Sequence, residues 1–300
     1  MAFTDHITAC NRHDLTRFRP FIIGGERLGW VSHDVAERLR DYPETLEVTD
    51  GAVVLSGRLT TPADRTAAMA EVLERLVERG VLSRLRGEPF AVSLCYGAPE
   101  LMRIDRAAVP LFGVRAYGVH LNGFVRTGQG MMMWVGRRSL TKRVAPGKLD
   151  NIVAGGQPAG LSLTENLVKE CAEEADIPRD LALRATPVGA ITYCMEGERG
   201  LRPDCMFCYD IELPTDFVPR NTDGEMAEFM LWPVADVIET VRSTDTFKFN
   251  VNLVLIDFAI RHGFVTADDE PDYLRLLFGL RGPARPTPGH PLVDKCRRSM

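Results

Sequence analysis

Glu170, Glu173 and Glu174 stand at i, i+3 and i+4 near the end of the segment Gly155–Ile177, GGQPAGLSLTENLVKECAEEADI. In a helix that spacing sets three carboxylates within one turn of each other, where they repel unless a hard cation takes the place of their protons. Ser162 followed three residues later by Glu165 is a capping box, which predicts a helix from about Leu163 to Ala175. Upstream, Gly155, Gly156 and Gly160 let the backbone bend closely around the helix N-terminus and present carbonyl or N–H groups to a ligand. A solvated acidic face is the plainer reading of the charges alone. Joined to the glycine turn, they point to magnesium held against a diphosphate.

The segment resembles the Nudix box, whose pattern is G, five residues, E, seven residues, R-E-U-x-E-E-x-G-U, with U a bulky apolar residue. Laid on this chain, the pattern gives Gly155, Leu161 at the first Glu position, then Lys169-Glu170-Cys171-Ala172-Glu173-Glu174-Ala175-Asp176-Ile177. Leu161, Lys169 and Asp176 depart from the family's Glu, Arg and Gly. Lys169 keeps the charge of Arg without its planar fork. The resemblance continues through Tyr117-Gly-Val-His-Leu-Asn-Gly-Phe124, Trp134-Val-Gly-Arg-Arg-Ser139, Asp223-Gly224-Glu225, Phe247-Lys248 and Arg261-His262-Gly263. These read like the Nudix domain of fungal thiamine pyrophosphokinase-related proteins and their plant and bacterial relatives. Phe21-Ile-Ile-Gly-Gly-Glu-Arg-Leu-Gly-Trp30 resembles the extra domain that precedes it in that subgroup.

The resemblance implies a Nudix α/β/α sandwich with a mixed sheet. It implies Mg2+, with Mn2+ as an alternative ion, bound by Glu170, Glu173, Glu174 and the Gly155 carbonyl. The general base would be Glu174, Glu225 or Glu228. The substrate implied is a small-molecule diphosphate like thiamine diphosphate, in damaged or analogue form, cleaved to the monophosphate and phosphate. Two alternatives stand beside it: a nucleoside diphosphate-linked substrate such as a nucleotide sugar or ADP-ribose, and a non-catalytic Nudix-fold ligand sensor.

Arg137, Arg138, Lys142, Arg143 and Lys148 form a basic stretch before the glycine turn. A solvated loop is one reading of it; the other is that Arg137 and Lys142 grip the terminal phosphate, since guanidinium and phosphate match bidentately. His120, Asn122 and Trp134, with Tyr193 and Trp232, offer an aromatic and hydrogen-bonding wall for a heterocycle, and Gly156 a close backbone approach. Lone aromatics are more often core residues.

The elements that must position these groups fall into two domains and a tail. Residues 1–108 read as a small α+β accessory domain. Within it Ser32 caps a helix over His33–Arg40, strands at Leu46–Val48 and Ala52–Leu55 flank the turn Asp50-Gly51, and a helix opens at Thr61 and Pro62 and closes at Gly80. Met69, Val72, Leu73 and Leu76 form its apolar stripe. This domain shapes a pocket or forms a homodimer. Residues 109–281 read as the Nudix domain, with strands at Val114–Arg126, Met131–Val135, Thr186–Cys194, Cys205–Leu213 and Met226–Leu231, a short helix after Pro233 and another over Val251–Arg261. Residues 282–300 form a Pro/Arg-rich tail.

The 300 residues, 45% hydrophobic, suffice for two packed cores. A net charge of −5 argues against a general nucleic-acid or lipid-surface binder. The first residues lack the basic start and apolar run of a signal peptide, and no stretch matches a membrane span, so the cytoplasm is the expected location. Seven irregularly spaced cysteines give no disulfide framework, and Cys205 and Cys208 read as small hydrophobes in a strand rather than zinc ligands.

Overall fold

The computed structural model describes residues 2–282, so the expectation of a loosely attached tail falls, from residue 283 on, outside the described residues. After a first helix, α1 (Phe3–Cys10), come β1 (Phe18–Ile23), β2 (Glu26–Ser32), α2 (His33–Leu39), β3 (Leu46–Val48), β4 (Val53–Leu55) and α3 (Pro62–Glu78). The strands form a sheet in the order β2-β1-β4-β3. The hairpin between β1 and β2 turns on Gly24 and Gly25, both at positive φ. Thr61 caps α3 and the helix buries Met69, Val72, Leu73 and Leu76 against this sheet. Each such burial contributes about 1.5–3 kcal/mol, which outweighs the weak propensity of an isolated helix. A second hairpin, β5 (Pro89–Val92) with β6 (Met102–Asp105), and α4 (Val109–Phe112) complete this unit.

The second unit comprises β7 (Tyr117–Thr127), β8 (Gly130–Arg138), β9 (Leu149–Asp150), β10 (Val153–Gly156), α5 (Leu163–Ala175), α6 (Arg179–Ala182), β11 (Thr186–Gly197), β12 (Gly200–Glu212), β13 (Met226–Pro233), α7 (Val234–Ser243), α8 (Phe249–Arg261) and α9 (Tyr273–Leu280). Its sheet runs β11-β12-β7-β8-β13, with β10 added to β7 and β9 to β8. β7 and β12 are parallel and the other pairs antiparallel, so the sheet is mixed. Side chains alternate across β7: Val119, Leu121 and Val125 face Leu167 and Cys171 of α5, whereas Phe124 joins the core under α7 and α8. The result is the α/β/α sandwich expected, beside an α+β unit.

Packing does not follow the division at residue 108 strictly. Phe3 and Cys10 are buried with α8 and α9 in the second unit's core, and His6 Nε2 lies 2.7 Å from the Val241 carbonyl. Conversely, Val109–Val114 belongs to the first unit's core. The units are joined by main-chain bonds, Ala159 N–H to Pro89 O (2.8 Å) and Cys205 N–H to Ala116 O (2.9 Å). Cys10, Cys171, Cys194, Cys205 and Cys208 are free and buried. Cys95 is disulfide-bonded, which the irregular spacing gave no sign of. Among the described residues no helix is long and apolar enough to cross a membrane.

Candidate active site

The capping box forms as the sequence requires: Ser162 Oγ accepts from Glu165 N–H (3.2 Å) and Glu165 accepts from Ser162 N–H (2.8 Å). The helix ends at Asp176, which takes the left-handed conformation (φ +54°) at the position where the family pattern has glycine. Aspartate tolerates that region better than most residues, and Arg220 pairs with its carboxylate at 2.6 Å. The last turn of α5 is thereby held against a cleft of about 550 Å³ between the two units.

The three box glutamates do not point at one spot. Lys169 Nζ lies 2.6 Å from Glu173 and 3.2 Å from Glu170, neutralising part of that pair. Glu174 is buried and takes the Ala154 N–H at 2.8 Å. Among the described residues, the one trio of potential ligand groups with atoms within 4.8 Å of each other is Glu174, Asp223 and Glu225. Burial pushes the carboxyl of Glu174 well above its ordinary value, and Glu170 and Glu225 add to the effect. Glu170 is raised for the same first reason, burial. Burial also pushes Glu225 up, but the Lys142 ammonium outweighs it and holds the group below its ordinary value. Oxygen donors packed this closely, one of them buried without a cationic partner, fit a hard divalent cation. Asp223 and Glu225 lie in the loop before β13, beyond the reach of the helix pattern, and Asp223 is the member of this trio that the sequence did not put forward as a site residue.

Gly155 and Gly156 line the cleft on β10. A Cβ at Gly155 would lie 2.3 Å from Glu170 Cδ, and one at Gly156 would lie 2.7 Å from Phe90 Cζ. Glycine at these positions therefore admits the box glutamate on one side and the first unit on the other.

His120 also lines the cleft. Its ring is neutral, brought down to about 4 by burial and by the nearby Lys248 ammonium. Behind it runs a buried relay: His120 Nδ1 to Asn151 Oδ1 (2.9 Å), Asn151 Nδ2 to Asn122 Oδ1 (2.7 Å), and Asn122 Nδ2 to Asp210 Oδ1 (2.9 Å). Asp210 is anchored by Arg261 and His262. An ionised carboxylate only accepts, so each amide is oriented by the next and His120 must donate through Nδ1. Beside it, Asp150 is fully buried between Arg138 (2.5 Å) and Lys248 (3.4 Å), whose charges overcome the burial that would raise its carboxyl.

Several predicted contacts lie elsewhere. Arg137 and Glu228 pair with each other across β8 and β13 at 2.6 Å, half-exposed and outside the cleft lining. The bulge between Met226 and Glu228 sets Glu228 opposite Arg137 on the outer face, while Arg138, the next residue of β8, and Glu225, in the loop before β13, line the cleft. Asn122 sits behind the wall as a relay member, and Trp134 is buried in the core beneath α5. Lys142 does line the cleft and pairs with Glu225.

Residues 2–116 match the model of a family described as a domain of unknown function (DUF4743). The chain is 42% identical over 290 residues to Nudix hydrolase 20, chloroplastic, of Arabidopsis thaliana, covering 93% of this chain and 77% of the relative. It is likewise 42% identical over 283 residues to Nudix hydrolase 24, chloroplastic, of the same plant, covering 93% and 77%. Among solved structures, the NUDIX domain of Shewanella oneidensis NrtR complexed with ADP ribose is similar with a TM-score of 0.38 and 15% identity, over 51% of this chain and 91% of that one.

Proposed function

The chain belongs to the Nudix hydrolase family, and from that premise we propose that it hydrolyses the diphosphate of a thiamine diphosphate-like substrate, in damaged or analogue form, to the monophosphate and phosphate. The observation that carries this reading is the meeting of Glu174, Asp223 and Glu225 in a cleft whose other lining is strongly cationic. Divalent metal use is general in the family, and Mg2+ is the ion proposed. Glu174 and Asp223 would hold it, with Glu170 and Glu173 beside them and the Gly155 carbonyl as a further donor, which leaves Glu225, the member of the trio paired with Lys142, as the proton acceptor. Such an ion, when bound, neutralises phosphate charge and makes a bound water more acidic.

The chain's own residues supply the rest. Glu225, kept ionised by Lys142, accepts the proton of the attacking water. Glu228, paired with Arg137 and outside the cleft lining, is not given this role. Lys142 is released toward the phosphate as Glu225 takes up its proton. Tyr117, His120 and Asn250 line the cleft where a heterocycle would lie. The thiamine-like substrate is supported by the segments that resemble the thiamine-related subgroup, since Tyr117-Gly118, His120 and Lys248 from those segments line this cleft.

Phosphate release from oxothiamine diphosphate, thiamine diphosphate, ADP-ribose and a nucleoside diphosphate sugar, with and without Mg2+, tests the proposal. A phosphatase-coupled readout captures monoester products. Magnesium-dependent release greatest for the oxidised thiamine compound is the expected result. Turnover confined to the nucleotides discards the thiamine reading and keeps the carboxylates, whereas silence across the panel favours a ligand sensor.

A further inference from the structure

Four arginines from distant parts of the chain converge on the cleft. Arg86 lies in the connection between α3 and β5 of the first unit, Arg143 in the loop after β8, Arg199 in the β11–β12 turn and Arg202 on β12. Burial and then the positive charges of Arg202, Arg86 and Arg143 hold the Arg199 guanidinium below its ordinary value, with Glu198 opposing. Arg202 has a counter-charge, Asp204 at 3.0 Å, and lies over the Phe249 ring at 5.3 Å. Arg86, Arg143 and Arg199 have no carboxylate within 4.0 Å among the described residues. Arg143 instead donates to Ser83 Oγ of the first unit at 3.1 Å.

The turn that carries Arg199 is fixed in place. Gly200 has φ +120°, and a Cβ there would lie 2.1 Å from the Pro110 carbonyl oxygen of α4. At Gly200 the β11–β12 turn is therefore pressed against the first unit with no room for a side chain, and Arg199, the residue before it, lines the cleft that Arg86 also lines. Like charges gathered in a partly buried cleft repel, and the cost is offset when an anion with several oxygens sits among them. Guanidinium groups meet phosphate oxygens in pairs, which a single ammonium does not do.

We propose that Arg86, Arg143 and Arg199 form a subsite, shared between the two units, that takes the terminal phosphoryl group of the substrate while the carboxylates of α5 and the Asp223–Glu225 loop serve the bond that breaks. The identity of the phosphoryl group as part of a diphosphate substrate rests on the function proposed above; the anion-binding property does not. The first unit is thereby half of the substrate site, through Arg86 and through Phe90 packed on Gly156.

The full chain, freed of metal with EDTA, is titrated with inorganic pyrophosphate by calorimetry. The wild type binds saturably and more weakly as salt is raised. Arg86→Gln and Arg199→Gln each weaken binding by about tenfold or more, the loss expected for one bidentate charge-assisted contact. Arg58→Gln, at an exposed pair with Glu44 far from the cleft lining, leaves it unchanged. Melting temperatures of both cleft variants without ligand are equal to or above the wild type, because repulsion is relieved. No pyrophosphate binding by the wild type, or undiminished binding by both variants, overturns the subsite. Arginine-dependent binding without hydrolysis of any diphosphate in Mg2+ overturns the function proposed above and leaves the subsite standing.

Discussion

The Ala154 N–H donates to Glu174 Oε2 at 2.8 Å, so the strand that carries Gly155 and the helix that carries the box glutamates are tied by the most buried carboxylate of the cleft. One oxygen is pinned to β10, and the carboxylate lies in the trio with Asp223 and Glu225. Glu174→Gln keeps an acceptor for Ala154 and removes the charge. Turnover is expected to fall on the order of a hundredfold or more, with the melting temperature held or raised because an uncompensated buried charge is gone. Glu173→Gln is expected to fall in the same direction but less, since Glu173 is half-exposed and paired with Lys169. Steady-state rates at saturating Mg2+ decide it, and wild-type turnover in Glu174→Gln would rule out the site.

Gly155→Ala probes the other side of the same contact. The added Cβ would come within 2.3 Å of Glu170 Cδ and 2.4 Å of Cγ, so the carboxylate must swing away from β10. Overpacking of this kind costs about 1–3 kcal/mol in stability. The expected signature is a weakened Mg2+ requirement curve, shifted to higher concentration, in a protein that remains folded by circular dichroism. An unshifted curve would show that Glu170 has no part in holding the ion.

Two ion pairs side by side on the β8–β13 edge should behave differently. Arg137–Glu228 is solvent-facing, and such pairs contribute about 0–1 kcal/mol. Lys142–Glu225 lines the cleft. Lys142→Ala is therefore expected to reduce kcat/KM by about tenfold or more, the loss of one charge-assisted contact to phosphate, and Arg137→Ala to have a far smaller effect. Equal effects would contradict the inward and outward assignment.

The division of what the sequence disclosed follows the range of the interactions. α5 was legible to the residue because its limits are set locally, by the Ser162–Glu165 box and the Asp176 C-cap. α3 was legible for the same reason at Thr61. α1 carried no such signal: it is held by contacts to α8 and α9, and a short helix whose partners lie over two hundred residues away has no local signature. Asp223 reached the carboxylates because Thr222 Oγ1 binds the Glu173 carbonyl and Gly224 N–H binds Asn221, which are tertiary and turn contacts rather than a spacing. Arg137 lies outside the cleft lining because of a one-residue parity in β8, where neighbouring side chains face opposite sides, and that parity depends on a register the sequence does not print.

The relay behind His120 yields the last prediction. Asp210 is held below the ordinary carboxylate range: burial pushes it up, but hydrogen bonds from Arg261, Asn122 and His262 outweigh that. A carboxyl lowered on folding stabilises the protein above its unfolded value of about 3.9 and loses that contribution as pH falls through the folded value. Asp210→Asn should thus cost about 3–5 kcal/mol at pH 7, toward the lower end because Arg261 retains Asp257, and the deficit should shrink in urea melts near pH 3. The same substitution reverses the relay. An amide at position 210 that sets its oxygen at the Oδ2 place, where it accepts from Arg261 Nη1 and faces His262, offers its N–H to Asn122, which must turn, and Asn151 after it, until an amide N–H faces His120 Nδ1. The ring proton then moves from Nδ1 to Nε2. Nitrogen chemical shifts of the His120 ring report this directly, with Nδ1–H expected in the wild type and Nε2–H in Asp210→Asn. A wild-type ring already protonated at Nε2 would mean that Asp210 does not set the direction of the chain, and that the cleft meets its ligand with a donor at this position rather than an acceptor.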